Sequence, residues 1–454
     1  MIASINPATE EIIAQYSEMS PDEIETILQA AQKQQENWKK IHLTKRSELM
    51  KNAANVLRKR KDELSRLMTL EMGKPFAQAK AEVEKCAWVC DYYAENAEQQ
   101  LMNLEIKTDA ALSYVSFQPL GVILAIMPWN FPFWQVFRFA APNLMAGNAG
   151  ILKHSSIVTG CGLKIEEVFL EAGFPENLFR TVIVSSRNVN KIIEHSSISA
   201  VTLTGSVPAG KSVAAVSGKC LKKTVLELGG SDPYVILEDA DLEQAAQICV
   251  NSRLINAGQS CIAAKRFIIV AAVYDKFESL FVEIMLTKKM GDPFDEQNAL
   301  GPQASVSLRN ELHQQVLTSV EKGAKLLLGG FIPEMKGAYY PPTVLSNVTK
   351  GMPAYDDELF GPVAALIKVD DADEAIKTAN DTIFGLGAAV FTSDFEKGKF
   401  IAEKKLNAGC CFVNDLVRSD PRLPFGGIKE SGYGRELSVF GIREFVNIKT
   451  VYVR

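Results

Sequence analysis

Three side chains that suffice for acyl chemistry stand in separate short motifs of this sequence. Asn130 lies in the run Pro-Trp-Asn-Phe-Pro, Glu227 opens the run Glu-Leu-Gly-Gly, and Cys261 ends the run Gly-Gln-Ser-Cys. A thiol can attack a carbonyl carbon, a carboxylate can activate water, and an amide N–H can stabilise an oxyanion. Together they indicate an enzyme that works on an acyl carbon through a cysteine.

A second motif points to different chemistry. The run from Gly205 to Ser212, Gly-Ser-Val-Pro-Ala-Gly-Lys-Ser, matches the phosphate-binding P-loop and lies between a predicted strand and a predicted helix, as that motif should. Against this interpretation, Pro208 removes one of the backbone N–H groups with which such a loop binds phosphate. An NTPase whose hydrolysis depends on Lys211 is therefore a competing hypothesis.

The elements that position these motifs alternate between strand and helix. From Gly121 onward, apolar runs of strand length are separated by helical segments, a pattern typical of a parallel sheet covered on both faces. The predicted strand Val122–Met127 precedes the Asn130 motif, and the predicted strand Thr224–Leu228 ends within the Glu227 motif. Such sheets bind ligands outside the carboxyl ends of their strands, so an α/β fold brings both side chains to one edge.

The two ends of the chain have other patterns. The first hundred residues are predicted to be helical, with Ser20 as an N-cap before Pro21, a long helix over 43–72 and another over 75–100. The last stretch, Phe445–Val453, alternates as a β-strand does. A terminal strand of this kind must pair with a strand of this chain or of another.

Composition excludes several classes of protein. The 49 Lys and Arg against 54 Asp and Glu give a net charge of −5, which argues against a protein that coats nucleic acid. Residues 110–137 carry no charge, but three prolines interrupt them, so we expect buried strands and no membrane span.

No secretory signal is visible, and eight irregularly spaced cysteines fit a reducing, cytoplasmic setting. The four histidines are scattered, so no metal site is predicted.

Seven short motifs, taken together, resemble the NAD(P)-dependent aldehyde dehydrogenase superfamily over essentially the whole chain. They occur in that family's order and at its spacing. The seven are Pro128–Pro132, Leu152-Lys153, Leu203–Ser206, Glu227–Gly230, Gly258–Cys261, Glu358–Pro362 and Pro424–Gly427. In this resemblance the 205–212 run is the nicotinamide-side turn of a cofactor site, and its P-loop match is coincidental. The implied fold has two α/β domains with Rossmann-like parallel sheets and a β oligomerisation arm.

The resemblance implies a role for each of the three side chains. Cys261 would attack the aldehyde carbon, and the thiohemiacetal would lose hydride to the nicotinamide, leaving a thioester. Glu227 would be the general base for water; relatives that transfer the acyl group to coenzyme A commonly lack this glutamate, so its presence favours hydrolysis to an acid. Asn130 and the backbone N–H of Cys261 would stabilise the oxyanion. With all three present, a non-catalytic member of the fold is disfavoured.

It also implies a cofactor site that accepts NAD or NADP. Lys153 would bind the adenosine ribose and Glu358 the nicotinamide ribose. Strictly NAD-specific relatives tend to carry Glu three residues beyond the lysine, where this chain has Ser156. His154 is interpreted as a surface residue. The other residues expected to contact the dinucleotide are Trp129, Ser155, Gly205, Ser206, Leu228 and Phe360.

Within the superfamily the sequence is most similar to succinate-semialdehyde dehydrogenases. Arg138 falls where those enzymes place an arginine that grips the distal carboxylate of the substrate. The position of a second such arginine is occupied by Ile255, with Arg253 two residues earlier. Loop residues that could compensate are Arg418, Ser419 and Arg422. The alternative is a broader aldehyde dehydrogenase that acts on other small aliphatic aldehydes.

The resemblance further implies three domains and an oligomer. Residues 1–109 and 121–228 would bind the cofactor, 229–429 would form the catalytic domain, and 110–120 with 430–454 would form the arm. The terminal strand would join a neighbouring subunit in a homodimer or homotetramer. The expected small-molecule partner is an aldehyde.

The cofactor expectation gives a first testable prediction. The wild type should use NAD and NADP within roughly tenfold, about 1.4 kcal/mol. Ser156→Glu should selectively weaken NADP, because its carboxylate would repel the 2′-phosphate. Initial rates with each cofactor measure the effect, and an unchanged NADP/NAD ratio would place the adenosine ribose elsewhere.

Overall fold

Two large sheets built mainly of parallel strands organise the chain, whose residues 1–454 are all described by the computed structural model. The first sheet has six strands, parallel except for the first one in this spatial order: Gly432–Tyr433, Lys223–Glu227, Ile198–Thr204, Val122–Met127, Ala149–His154 and Phe179–Thr181. The predicted strands along 121–228 are confirmed, with shifts of a few residues at their ends, and so is the α/β class.

The second sheet has seven strands, of which only the first edge strand is antiparallel to its neighbour. In spatial order they are Lys325–Leu328, Thr343–Ser346, Val363–Val369, Arg266–Val270, Pro233–Ile236, Gly387–Phe391 and Cys410–Val413. Both faces of this sheet are buried under apolar side chains. Continuous apolar strands of this kind are what a sheet covered on both sides requires.

Helices cover these sheets, and none combines the length and the apolarity needed to cross a bilayer. The α-helices are Pro21–Trp38, Leu43–Lys59, Lys61–Met72, Phe76–Gln100, Trp134–Met145, Thr159–Glu171, Val189–Glu194, Val207–Lys219, Leu242–Leu254, Tyr274–Leu286, Val306–Glu321, Pro353–Asp356, Ala372–Asn380, Phe395–Phe400 and Ser438–Glu444. The Ser20 N-cap is confirmed as a full capping box with Glu23.

Two expectations for the first hundred residues were wrong. Ile2–Ile5 and Ile12–Tyr16 form an antiparallel hairpin where helix was expected, because these short segments are rich in β-branched isoleucine. The helix predicted over 43–72 is two helices that meet at Arg60. There the backbone leaves the helical conformation, and the guanidinium binds Glu63 and carboxylates of the helix Thr159–Glu171.

The C-terminal strand Val446–Val453 pairs antiparallel with Leu112–Pro119 of the same chain, which in turn pairs with Leu104–Glu105. Its other edge is open, and Ile448 and Tyr452 on it are more than half exposed. The domain division stays a prediction, but residues 430–445 differ from the expected arm. Gly432–Tyr433 pairs with the strand ending at Glu227, so this segment closes the first sheet instead.

A buried ion pair fixes the start of the helix Trp134–Met145. Glu82, in the long helix Phe76–Gln100, accepts hydrogen bonds from the backbone N–H groups of Phe133 and Trp134, at 2.9 and 3.0 Å. The same carboxylate pairs with Lys74, and both side chains are almost fully buried. Glu82 therefore satisfies two N–H groups that a helix start leaves free and neutralises a buried cation.

Glu82→Ala should lower the free energy of unfolding by about 3–5 kcal/mol, because it leaves the Lys74 charge buried without a partner. Urea denaturation measures the change. Glu84→Ala, on the exposed side of the same helix where Glu84 pairs with Arg58, is the matched control and should cost at most about 1 kcal/mol. Equal losses in the two variants would contradict the assignment.

Candidate active site

Cys261 lies where two clefts meet. The first cleft is also lined by Pro128, Trp129, Asn130, Thr204, Gly205, Ser206, Leu228, Gly229, Leu308, Glu358 and Phe360. The second is lined by residues that include Lys74, Gln78, Lys85, Phe131, Trp134, Arg138, Ile255, Ile262, Leu416, Arg418, Ser419 and Phe425. Gln135 and Cys261 line both. The thiol can therefore contact a molecule in either cleft.

The turn before Cys261 is built from left-handed backbone. Asn256, Ala257 and Gly258 have φ of 53°, 52° and 77°. A side chain at Gly258 would overlap the backbone of Gly361, so the glycine is required for close approach as well as for its φ. Non-glycine residues in this conformation are strained, and such strain persists only where the surroundings hold it.

Two buried cations hold this turn. Lys265 donates hydrogen bonds to the carbonyl oxygens of Ser260, Cys261 and Ala263 at 2.7–3.1 Å. Arg253 donates to the carbonyl oxygen of Gly258. The sequence indicated Arg253 only as a neighbour of Ile255, which occupies the position of the second substrate-binding arginine. The structure places Arg253 beside the turn 256–261 that carries Cys261, called the nucleophile turn below. Lys265 was missed, since no motif marked it.

Burial raises the pKa of the Cys261 thiol to about 12, although Arg138 and Lys265 act in the opposite direction. At neutral pH the thiol is therefore protonated in the free protein. Since the thiolate is the nucleophile, attack on a carbonyl requires a base or an added positive charge beside the sulfur.

Asn130 is oriented by the same turn. The side-chain Nδ2 of Asn130 donates to the backbone carbonyl oxygen of Gln259 at 3.2 Å, and the backbone carbonyl oxygen of Asn130 accepts from Nδ2 of Asn256 at 2.8 Å. The backbone N–H of Cys261 donates to no other group of the protein. An oxygen bonded to the carbon that Cys261 attacks can thus meet an amide side chain and a free backbone N–H.

Glu227 ends its strand close to this site, but its carboxylate lines neither cleft. It is buried with both oxygens unpartnered, and a Cβ placed on Gly426 would lie 2.7 Å from its Oε1. Burial, with the nearby carboxylate of Glu436 as the second cause, raises the pKa of Glu227 well above the ordinary glutamate value. A carboxylate with a raised pKa is a stronger base for water.

Arg138 lines the second cleft but already has a partner. Its Nε pairs with the carboxylate of Glu436, both side chains are nearly fully buried, and its guanidinium lies 4.7 Å from the ring centre of Phe425. Burial raises the pKa of Glu436, while Arg138 opposes that shift. No sequence motif indicated Glu436, because only the fold of residues 430–445 brings it to the helix that carries Arg138.

The first cleft gathers several residues expected to bind a cofactor. Glu358 accepts the backbone N–H of Gly230 at 3.0 Å and lies 3.6 Å from Nζ of Lys265. Trp129 and Phe360 pack edge to face with ring centres 5.6 Å apart. Gly205, Ser206 and Leu228 line the same cleft, and the helix Val207–Lys219 begins directly after Ser206.

Lys153, Ser155 and Ser156 lie at the carboxyl end of the strand Ala149–His154, outside the lining of either cleft. Lys153 is half-buried, and burial alone lowers its pKa. Ser155 caps the next turn and Ser156 is exposed. The interpretation of His154 as a surface residue was wrong: it is buried between the carbonyl oxygens of Met127 and Pro132, and burial lowers its pKa to about 4.

The P-loop hypothesis fails on geometry. Residues 207–219 are helical, Pro208 has no N–H, and the N–H of Gly210 bonds to the carbonyl of Ser206, so the segment does not form the open loop of free amides that surrounds a phosphate in a P-loop. Lys211 points outward and pairs with Glu430 at 3.0 Å.

Of the predicted substrate-side loop residues, Ser419 lines the second cleft and accepts a hydrogen bond from Lys85 at 2.8 Å. Arg418 lines it too, but it is largely exposed and pairs with Asp415. Arg422 is exposed and pairs with Asp420. No three His, Cys, Asp or Glu side chains lie close enough together to hold a metal ion.

Comparison with known proteins agrees with this geometry. The model of the aldehyde dehydrogenase family matches residues 1–451. The chain belongs to the aldehyde dehydrogenase family. A probable NADP-dependent succinate-semialdehyde dehydrogenase of Synechocystis sp. is 48% identical over 452 residues, which cover 100% of this chain and 99% of that protein. An NAD(P)-dependent succinate semialdehyde dehydrogenase of Escherichia coli is 47% identical, with 99% and 97% covered.

Solved structures agree as well. The succinic semialdehyde dehydrogenase of Streptococcus pyogenes, solved in complex with NADP+, superimposes with a TM-score of 0.98 at 40% identity, and each chain is covered completely. The lactaldehyde dehydrogenase of Escherichia coli reaches 0.96 at 32% identity, over 100% of this chain and 95% of the other. The fold predicted from the seven motifs is thereby confirmed.

The site geometry gives a prediction for Glu227. Glu227→Gln should leave a burst of about one reduced cofactor per active site and then a slow steady state, because thioester hydrolysis loses its base. The wild-type kcat should rise with pH as Glu227 loses its proton. Because the pKa of Glu227 is raised, this rise should occur at a higher pH than for an ordinary glutamate. The Glu227→Gln variant should lack this pH dependence. Stopped-flow absorbance measures both; Cys261→Ala, which should show no burst, is the control. Equal loss of burst and steady state would assign Glu227 to the first half-reaction.

Proposed function

We propose that this enzyme oxidises succinate semialdehyde to succinate with NAD+ or NADP+. The observation that carries the proposal is the position of Cys261 at the junction of two clefts, one of which has Arg138 in its wall. The relatives named for this activity are nearly half identical over the whole chain, which supports the same substrate here.

The first cleft suits a dinucleotide. The helix Val207–Lys219 starts at its wall, and the free N–H groups of a helix start favour a phosphate. Glu358 would bind the nicotinamide ribose, Lys153 and Ser155 the adenosine ribose, and exposed Ser156 leaves room for a 2′-phosphate. When bound, the cofactor supplies the acceptor that oxidises the aldehyde carbon.

In the first half-reaction the thiol of Cys261 releases its proton to solvent and the sulfur adds to the carbonyl carbon, which gives the anion of a thiohemiacetal. With a cofactor bound, loss of hydride from this carbon to that cofactor would leave the thioester. The aldehyde oxygen becomes an oxyanion, held by Nδ2 of Asn130 and the backbone N–H of Cys261. Lys265 keeps the turn in place while its positive charge favours the thiolate. Burial excludes water that would otherwise compete for these donors.

In the second half-reaction Glu227 takes a proton from water, and the water oxygen adds to the thioester carbon. The carbon–sulfur bond breaks, the acid leaves and the thiol is restored. Because the carboxylate of Glu227 rests near Gly426 and Glu436, outside both clefts, it must turn toward Cys261 or act through an intervening water. Its lack of hydrogen-bond partners leaves the side chain free to do so.

A broader activity on small aliphatic aldehydes is the second candidate, and one observation favours it. The Arg138 guanidinium is already paired with Glu436, and Ile255 puts an apolar side chain in the same cleft. Both features reduce the charge available to an anionic substrate.

The assembly and setting of the enzyme are also proposals. The open outer edge of Val446–Val453, with exposed Ile448 and Tyr452, supports pairing with a second subunit in a homodimer or homotetramer. Eight unpaired cysteines support a reducing compartment such as the cytoplasm. Sedimentation of a stable, fully active monomer would contradict the first.

Arg138→Leu should reduce the preference for succinate semialdehyde over butanal by the 1.5–3 kcal/mol that a charge-assisted hydrogen bond contributes, about ten- to a hundredfold. The ratio of kcat/KM for the two aldehydes within one variant is the measurement, because it cancels the damage expected from leaving Glu436 unpaired. An unchanged ratio would make Arg138 structural. A wild-type preference for butanal would favour the broader activity.

A further inference from the structure

Four cationic side chains line the second cleft, and three of them already have a carboxylate partner. The three pairs are Lys74 with Glu82, Arg138 with Glu436 and Arg418 with Asp415. The fourth cation, Lys85, pairs with no carboxylate. Lys85 is therefore the one cation of this cleft without a carboxylate in ion-pair contact, since Glu82 and Asp420 act on it only from farther away, and it lies in the same wall as Arg138.

Lys85 is held in a defined place. Its Nζ donates to Oγ of Ser419 at 2.8 Å and lies 4.3 Å from the ring centre of Trp134. Burial, followed by repulsion from Arg138, lowers the pKa of Lys85 to about 8. An ammonium has three donors, and only one is used by a protein acceptor here, so the group is under-satisfied until an anion arrives.

We propose that Lys85, together with the hydroxyl of Ser419, binds the distal carboxylate of the aldehyde substrate. This inference rests on the proposed function. In this chain Lys85 would take the role of the second carboxylate-binding arginine, whose position is occupied by Ile255. The carboxylate would accept from Nζ of Lys85 and from the Ser419 hydroxyl, and the aldehyde end would extend to Cys261 in the same cleft.

The other basic residues are less suited to this task. Arg253 donates to the Gly258 carbonyl beneath the nucleophile turn and does not line the cleft. Arg418 is largely exposed, so water screens its charge. Arg138 is neutralised by Glu436, so an incoming carboxylate must share it with one that is already there. Among the cations of this cleft, only Lys85 has no carboxylate in ion-pair contact before the substrate binds.

The test compares Lys85→Met with Lys80→Met. Met keeps much of the side-chain volume and removes the charge. Lys80 lies on the same helix but outside the cleft, where it pairs with Asp62, so its variant controls for removal of a lysine from this helix. Lys85→Met should lower the kcat/KM ratio of succinate semialdehyde to butanal by about ten- to a hundredfold, mainly through KM. Lys80→Met should leave the ratio unchanged.

Product inhibition gives a second readout that does not depend on turnover of the charged aldehyde. We expect succinate and butyrate to compete with the aldehyde for this cleft. Lys85→Met should weaken inhibition by succinate, measured with butanal as substrate, much more than inhibition by butyrate. Lys85→Arg, which keeps the charge, should retain most of both effects, and thermal melting checks that each variant is folded.

The outcomes separate this inference from the proposed function. If the wild type prefers butanal, the proposed function fails. A second outcome is that the wild type prefers succinate semialdehyde and that Lys85→Met keeps both this preference and the inhibition by succinate. In that case the proposed function stands, and the assignment of Lys85 as the carboxylate ligand is wrong. A parallel loss for both aldehydes and both acids would likewise overturn it.

Discussion

The carboxylate of Glu82 joins two helices that form walls of the active site. It lies in the long helix Phe76–Gln100, binds the N–H groups that open the helix Trp134–Met145, and neutralises Lys74 in a buried setting. The loop that carries Asn130 ends at this junction. Because a buried charge without a partner is costly, these contacts oppose separation of the two helices.

Buried cations are also paired with oxygen atoms in the walls of the site. Lys265 satisfies three carbonyl oxygens of the nucleophile turn, and Arg138 faces Glu436 while Glu227 lies close to both. Lys265 and Arg138 thus each face oxygen atoms of the protein, as the desolvation of a buried cation requires. The strained φ angles of Asn256 and Ala257 persist because these contacts hold the turn on both sides.

Motifs and periodicity were enough to predict the sheets and the residues that gather at their carboxyl ends. The side chains that complete the site lay beyond such reasoning. Lys85 sits in a helix with no motif, and its role depends on a contact with Ser419, which is 334 residues away. Glu436 reaches Arg138 only because Gly432–Tyr433 pairs with the strand that ends at Glu227. A sequence pattern records local spacing, whereas these contacts arise from tertiary packing.

The protonation states in the free protein explain why both half-reactions need this fold. A thiol with a pKa of about 12 and a carboxyl group whose pKa is raised are each poorly ionised relative to their ordinary forms, and both shifts have burial as their largest cause. Burial that makes the thiol harder to ionise also makes the carboxylate more basic, so the same desolvation hinders formation of the thiolate and favours removal of a proton from water.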